Sequence, residues 1–339
     1  MIWLIGTGAM SRAYFSVLQY LEQPTTVIGR SAESCSIFSE VTGSPAYCGG
    51  VAHWLATQPA LPSAAIVAVN ITELFSVCKQ LLAAGVRKIL LEKPGALYQS
   101  QLYELEQLAK AKNALVLIAY NRRFFSSVQT AKKLIECDGG LLSCNFELTE
   151  WADNVKALPI AAEVKQRWVI ANTAHVIDTV FYLAGEPAQL QCQTAGQLEW
   201  HPSMAMLAGG GITQQGVLIS YHGNWLSAGR WSIELNTAHR KLILRPMEQL
   251  SEQLRNTLLQ NAVTMVSQDD TQFKPGLLQQ VNAFLKNQLA DFCDLSQQRQ
   301  RLAWYEQMAN YPFSHIMPEQ AISDVSDKET ASLSLKGPE

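Results

Sequence analysis

The stretch MIWLIGTGAMS, residues 1–11, consists of an apolar run, two glycines and the start of a helix-like segment. This order predicts a buried strand, a tight turn and a helix, as at the start of a doubly wound α/β sheet. Gly6 permits the turn, and Gly8 lets backbone N–H groups approach a pyrophosphate at the helix N-terminus. Ser11 stands where the third glycine of this pattern usually lies. We predict that the dinucleotide-binding residues of this turn are Gly6, Gly8, Ala9 and Met10; an ordinary turn is the alternative.

Further apolar runs alternate with helix-like segments up to residue 120. They occupy residues 25–29, 64–69, 88–91 and 114–119. This alternation predicts an N-terminal Rossmann domain, residues 1–120, with a doubly wound parallel sheet. Most later strand-like segments follow residue 189, which predicts a C-terminal α+β domain, residues 121–315, with an open, largely antiparallel sheet. The polar tail, residues 316–339, is predicted to be disordered.

Composition excludes several classes of protein. The chain has 339 residues and a formal net charge of −3, which gives no reason to expect nucleic acid or a membrane surface as a partner. No apolar run reaches the roughly 18 residues of a membrane span, and the N-terminus lacks the basic region of a signal peptide. The seven cysteines form no CxxC pair, so we predict reduced thiols and a cytoplasmic location. The histidines have no metal-ligand spacing, and no metal is predicted.

The end of the second strand indicates which cofactor is bound. NAD-binding folds usually place an acidic residue there for the ribose 2′-hydroxyl. This chain has Arg30 and Ser31 instead, which could bind a 2′-phosphate, so the sequence favours NADP over NAD. The alternative is that Arg30 is a solvated loop cation. Asn70, after the third clear strand, is predicted to face the same crevice and to bind the cofactor.

Lys93 follows the apolar run at residues 88–91, between Glu92 and Pro94. A lysine at the carboxyl edge of the sheet can donate a hydrogen bond to a substrate oxygen, and partial burial would suit its amine to proton transfer. Pro94 is a candidate for a cis peptide bond. We predict that Glu92 and Lys93 also contact the cofactor. A surface lysine at a strand end is the alternative.

Four motifs resemble the Gfo/Idh/MocA oxidoreductases in type and order. They are GTGAM at residues 6–10, EKP at residues 92–94, YNRRF at residues 120–124 and NTAHVID at residues 172–178. The resemblance implies a nicotinamide-dependent dehydrogenase or reductase that acts on sugars, cyclitols or similar polyols. It also implies that the sheet of the second domain packs against a partner subunit, in a homodimer or homotetramer.

The resemblance also assigns roles at the site. It makes Lys93 the group that binds the reacting oxygen and His175 the general acid/base, with Asp178 an orienting or structural residue. Many family members have an aspartate four residues before the histidine, where this chain has Ala171. Asn172 could supply a polar contact there but cannot accept a proton. A buried core histidine is the alternative for His175.

The remaining predicted substrate contacts are Asn121, Arg122 and Trp168, together with Asn172 and His175. Arg122 could bind a carboxylate or a phosphate. Arg123 is the candidate for an ion pair between the two domains.

Three functions remain open from the sequence. The first is an NAD(P)-dependent oxidoreductase acting on a sugar, cyclitol or nucleotide-sugar. The second is a dinucleotide-binding sensor without catalysis, which Ala171 favours. The third is an NAD-dependent glycoside-cleaving enzyme.

Overall fold

The computed structural model describes residues 1–265 and 268–312. The predicted disordered tail, residues 316–339, lies outside the described residues. The N-terminal part contains, in order, β1 (Ile2–Ile5), α1 (Ala9–Tyr20), β2 (Thr25–Ile28), α2 (Ala32–Thr42), β3 (Ala46–Tyr47), α3 (Gly50–Ala56), β4 (Ala64–Val67), α4 (Ile71–Ala83), β5 (Lys88–Glu92), α5 (Gln99–Ala111) and β6 (Leu115–Ala119).

The rest of the chain begins with a 3₁₀ turn at Asn121–Phe124 and has a π-helical turn at Val169–Thr173. Its other elements are α6 (Ser126–Cys137), β7 (Ser143–Glu147), α7 (Ala152–Ala157), α8 (Ala162–Gln166), α9 (Ala174–Ala184), β8 (Pro187–Ala195), β9 (Met206–Thr213), β10 (Leu218–Asn224), β11 (Ser232–Asn236), β12 (Arg240–Leu244), β13 (Ser251–Leu254), β14 (Gln260–Ala262), α10 (Gln268–Gln272), α11 (Leu277–Leu285), β15 (Cys293–Asp294) and α12 (Leu295–Met308).

The first sheet confirms the predicted Rossmann architecture. Within the described residues its strand order is β15-β6-β5-β4-β1-β2-β3, and all neighbouring pairs are parallel except β15 with β6. Every residue of β1 and β4 is buried, as expected for strands with helices on both faces. The carboxyl ends of β1, β2, β4 and β5 therefore meet at one edge of the sheet, where the predicted site residues lie.

The second sheet is largely antiparallel, as predicted. Its order among the described residues is β14-β13-β12-β11-β7-β10-β9-β8, with one parallel pair between β7 and β10. Helix α9 packs against β7 and β11 and covers one face of the sheet. Strand β10 alternates between exposed and buried residues, which shows that the other face of this strand is uncovered.

After the second sheet the chain returns to the first. Strand β15 pairs with β6, α11 packs on α1, and α12 packs on α5. A buried ion network joins these returning elements to α9: Asp178 accepts two hydrogen bonds from Arg123, at 2.8 and 2.7 Å, and one from Arg301 at 2.5 Å. Arg301 also pairs with Glu186. Arg123 therefore forms an ion pair, but not the predicted one between domains, because Asp178 also lies within residues 121–315; the pair connects the end of β6 with α9.

Two further features concern the chain as a whole. The peptide bond between Lys93 and Pro94 is cis, as predicted. None of the helices in residues 1–265 and 268–312 is both long enough and apolar enough to cross a membrane.

Candidate functional site

The glycine turn after β1 has the conformation that a close ligand approach requires. Gly6 has φ 116°, and a Cβ on it would lie 2.2 Å from the carbonyl oxygen of Ala68. Ser11 Oγ donates a hydrogen bond to the same carbonyl oxygen at 3.0 Å. The serine side chain is therefore accommodated at the position of the usual third glycine, because it binds the backbone at the end of β4. A Cβ on Gly8 would meet no atom within 4 Å, and the first turn of α1 has no acidic residue. The N-terminus of α1 is therefore open to an anionic group.

A cleft of about 640 Å³ lies over this turn. Seven predicted cofactor residues line it: Gly6, Gly8, Ala9, Met10, Arg30, Ser31 and Asn70. Residues from the ends of three parallel strands thus share one cavity at the carboxyl edge of the sheet. This is where open α/β folds bind dinucleotides, and the residues present fit an NAD(P) molecule.

The ribose end of this cleft contains an acid that the sequence analysis did not identify. Arg30 forms an ion pair with Glu73, in the first turn of α4, and both residues line the cleft. Ser31 caps α2 by accepting a hydrogen bond from the backbone N–H of Ser34. The hydroxyl of Ser34 in turn accepts one from Thr7 at 2.9 Å. Arg30 is 67% exposed, so its guanidinium can leave Glu73 without disturbing buried structure.

A second cleft, of about 430 Å³, lies where the first sheet meets the C-terminal part of the chain. Asn70 lines both clefts, which makes them neighbours. Lys93 contributes from the end of β5, and Trp168, Ala171 and Asn172 contribute from the segment before α9. Three predicted site residues from distant parts of the sequence are thereby brought together with Asn70.

Lys93 Nζ donates a hydrogen bond to the backbone carbonyl oxygen of Ala171 at 2.7 Å. Ala171 stands where many members of the resembled family have an aspartate. It still binds the lysine, but through an uncharged backbone carbonyl. Burial lowers the pKa of Lys93 to about 8; Glu92 opposes this shift, and Arg122 and Lys274 add to it. The amine is thus poised to exchange a proton near neutral pH.

His175 is buried on α9 and packs against two aromatic rings. Its ring centre lies 6.0 Å from that of Tyr120 and 6.5 Å from that of Trp231. Burial lowers the pKa of His175 well below its usual range, and the positive charges of Arg122, Lys93 and Lys274 lower it further. The imidazole is therefore neutral at pH values where the lysine titrates. Its Nδ1 is buried and has no hydrogen-bond partner in the described part of the chain.

Asp178 does not contact His175, although the two are three residues apart on one helix. Its carboxylate is bound by Arg123 and Arg301, so its role is structural and it does not fix the imidazole tautomer. Glu92 is not among the residues that line the two clefts, and it accepts a hydrogen bond from Tyr14 at 2.6 Å. Asn121 is buried and donates to the carbonyl oxygen of Pro275 at 3.0 Å.

Arg122 lies close enough to act on the charges of Lys93 and His175, although neither Arg122 nor His175 is among the residues that line the second cleft. The guanidinium of Arg122 lies 4.9 Å from the ring centre of Trp231, and that of Arg230 lies 4.3 Å from the same ring. Arg230 donates to Glu150 at 2.7 Å, and Glu150 also accepts from Asn172 and Thr173, at 3.1 and 2.7 Å.

The sequence analysis did not identify Glu150, Arg230, Trp231 or Lys274. No motif or spacing marks these residues, because they come from three separate segments of the chain, with Arg230 and Trp231 adjacent to each other. In the described ranges, no group of three or more His, Cys, Asp or Glu residues could hold a metal ion.

The fold and the two adjoining clefts define the class of the protein: a nucleotide-binding α/β oxidoreductase with a lysine at the end of the fifth strand. Residues 1–120 match the model of the Gfo/Idh/MocA family, described as an oxidoreductase family with an NAD-binding Rossmann fold. The resemblance read from the motifs is thus confirmed for residues 1–120, which match the model of this family. No curated protein matches the sequence.

Solved structures with this fold cover nearly the whole described chain. A UDP-N-acetylglucosamine 3-dehydrogenase from Acidithiobacillus ferrooxidans is 18% identical, with a TM-score of 0.70, covering 90% of this chain and 95% of its own. A levoglucosan dehydrogenase in complex with NADH and L-sorbose is 16% identical, with a TM-score of 0.72 and coverages of 91% and 95%. A biliverdin reductase from Synechocystis, in complex with biliverdin and NADP⁺, is 16% identical, with a TM-score of 0.67 and coverages of 91% and 98%. At these identities the likeness shows the shared fold.

Proposed function

We propose that the protein is an NADP(H)-dependent oxidoreductase acting on a hydroxyl or carbonyl group of a sugar, cyclitol or nucleotide-sugar. The observation that carries the proposal is the position of Lys93. Its amine, with a pKa lowered to about 8, lines a cleft that adjoins the cleft of the glycine turn at Asn70. The names of the UDP-N-acetylglucosamine and levoglucosan dehydrogenases support a sugar-like substrate.

The chain's own residues account for binding and for proton transfer. The glycine turn and the N-terminus of α1 would hold the cofactor phosphates, and Asn70 would face the nicotinamide half. Bound NADP(H) would supply the hydride acceptor or donor. Lys93 would hold the substrate oxygen, taking its proton in the direction of oxidation and returning it in the direction of reduction.

His175 would assist Lys93 as a neutral imidazole. A neutral ring can accept a proton or a hydrogen bond, and the positive charges around it oppose its protonation. Lys93 therefore bears the main acid/base role in this proposal, and His175 binds or relays. Lys93 has the larger acid/base role because position 171 is an alanine, so no carboxylate there stabilises the charged form of the lysine.

The preference for NADP rests on Arg30, Ser31 and Ser34. A 2′-phosphate between these side chains would receive a charge-assisted hydrogen bond from Arg30 and hydroxyl contacts from the serines. Glu73 would then lose its partner to the phosphate. The exposed ion pair it forms contributes little to stability, so the exchange costs little.

The test of this function is turnover by a Lys93→Met variant. With NADP⁺ or NADPH and a panel of sugars, inositols and nucleotide-sugars, wild-type protein should change the absorbance of the reduced nicotinamide. Lys93→Met should lower that rate by about 10²- to 10⁴-fold, since a positioned proton-transfer group contributes that much, and should leave cofactor affinity unchanged. Near-normal rates in the variant would show that Lys93 is not the catalytic group.

The same measurements separate two other functions. Ala171 in place of the family aspartate favours a dinucleotide-binding sensor, which would bind NADP without any turnover. A glycoside-cleaving enzyme would cleave its substrate without net consumption of free cofactor.

We also propose that the protein acts as a homodimer or homotetramer in the cytoplasm. The uncovered face of β9 and β10 exposes Leu218 and Ile212, at 60% and 37%. Apolar side chains on an open sheet face suit packing against a second copy. The seven cysteines are free thiols, as in a reducing compartment.

A further inference from the structure

The site around Lys93 contains more positive charge than its own residues neutralise. Arg122 and Lys274 both lie close enough to Lys93 to repel its positive charge, and all three charges act on His175. Two carboxylates, Glu92 and Glu150, offset part of the positive charge at Lys93. Glu150 is bound by Arg230, Asn172 and Thr173, and Glu92 is bound by Tyr14.

Arg122 is a cation of this group that aromatic rings hold in place and that has no hydrogen-bonding partner among the described residues. Its guanidinium lies over the ring of Trp231, and a second aromatic ring, that of Phe125, lies 5.7 Å from it. Its side chain makes no hydrogen bond or ion pair with any residue in the described ranges, and its Nε is buried. Glu248 is the carboxylate that acts on it most strongly, and that residue is exposed and makes no ion pair with it.

Buried donors without partners are rare, because removing a polar group from water costs about 1–3 kcal/mol unless a hydrogen bond replaces it. Here three belong to side chains that lie against one another: the ring nitrogen of Trp231, Nδ1 of His175 and Nε of Arg122 are all buried without a partner in the described structure. Apart from the imidazole, whose tautomer is open, these atoms can only donate. A group that satisfies them must therefore be rich in acceptors, and the excess charge requires it to be negative.

We propose that the substrate is an anion, a sugar or cyclitol derivative with a carboxylate that Arg122 binds in bidentate fashion beside Lys93. This inference rests on the proposed function, because it names the class of substrate that the proposed enzyme would take. The planar guanidinium, fixed against Trp231, matches the two oxygens of a carboxylate. A phosphate offers the same anionic oxygens, and the experiment distinguishes the two.

The experiment measures anion binding to the complex with NADP⁺ by calorimetry, with malonate and inorganic phosphate as probes. Wild-type protein should bind malonate more tightly than phosphate, and Arg122→Met should weaken malonate binding at least tenfold. Arg122→Lys should recover phosphate binding better than malonate binding, because an ammonium cannot form the bidentate pair. Arg255→Met, which removes an exposed arginine, controls for the loss of one charge.

Each result bears on the proposal. Tighter phosphate binding that depends on Arg122 would overturn the carboxylate assignment and identify a phosphorylated substrate. Equal malonate binding by wild type and Arg122→Met, or none by either, would overturn the anion site; Arg122→Gln replaces the methionine variant if that one fails to fold. Because binding is measured without turnover, Arg122-dependent binding together with an inactive protein would refute the proposed function alone.

Discussion

At the scale of single residues, Lys93 and Ala171 would determine the acid/base chemistry of the proposed enzyme. An aspartate at position 171 would give the lysine an anionic partner and favour its charged form. The carbonyl of Ala171 orients the amine at 2.7 Å without adding a negative charge, and burial then lowers the pKa of Lys93 to about 8. The missing carboxylate therefore does not remove the acid/base group; it makes the lysine itself easier to deprotonate.

This reasoning predicts the effect of Ala171→Asp. Oxidation needs neutral Lys93, so its kcat/KM should rise with pH through about 8. A nearby carboxylate should raise the pKa of Lys93 by about 1–3 units, moving this midpoint upward and slowing oxidation at neutral pH by about tenfold per unit. Reduction, which needs the charged amine, should retain its rate to higher pH. The pH profiles of wild type, Ala171→Asp and the uncharged control Ala171→Asn measure this, and equal midpoints for the two variants would contradict it.

Arg30 is the residue on which the proposed preference for NADP depends. Arg30→Ala should weaken NADP binding by about 10- to 100-fold, since a hydrogen bond to a charged group contributes about 1.5–3 kcal/mol, and should leave NAD binding unchanged. Glu73→Gln is the matched variant: it frees Arg30 from its ion pair and should tighten NADP binding. Fluorescence titrations with both cofactors test this. Equal weakening of NAD and NADP binding by Arg30→Ala would remove the argument for the phosphate.

At the scale of elements, the buried ion network fixes α9 in position. Asp178 is fully buried between Arg123, after β6, and Arg301, on α12. The same helix presents His175 to the site, one turn away. The position of the imidazole relative to Lys93 therefore depends on a carboxylate that contacts neither of them.

We expect Asp178→Asn to destabilise the fold by about 3–5 kcal/mol, because it leaves the buried guanidinium of Arg123 without a neutralising charge and Arg301 with Glu186 alone. Denaturant unfolding monitored by tryptophan fluorescence measures this free energy. Asp153→Asn, a change of the same type at an exposed helical position, should have little effect. Unfolding midpoints that match for the two variants would show that the network contributes little to stability.

At the scale of the whole molecule, one face of the second sheet is covered by α9 and the face of β9 and β10 is open. We expect Leu218→Glu to shift the protein from dimer or tetramer to monomer, because the charge would be buried against the partner copy. Light scattering after size-exclusion chromatography measures the mass. Leu258→Glu, at a 97% exposed position, should leave the mass unchanged. A wild-type monomer at micromolar concentration would refute the assembly.

The features that the sequence predicted correctly depend on local patterns. The alternation of strands and helices, the turn at Gly6 and the placement of Lys93 after β5 follow from residues that are neighbours in the chain. An ion pair of Arg123 was also expected, but between the two domains and with no partner identified. Asp178 lies three residues from His175, and sequence spacing alone could not show that two arginines from other elements bind it.

What the sequence determined by itself is the Rossmann sheet, the glycine turn and a lysine at the edge where a cofactor binds, because each depends on short-range periodicity and backbone conformation. Only the tertiary structure decided what surrounds that lysine. The carbonyl of Ala171, the ion pair of Glu73 with Arg30 and the convergence of Glu150, Arg230 and Trp231 join residues tens of positions apart in the chain. Such contacts arise from packing between elements, and the pKa of Lys93 depends on them because burial and nearby charge depend on the whole fold.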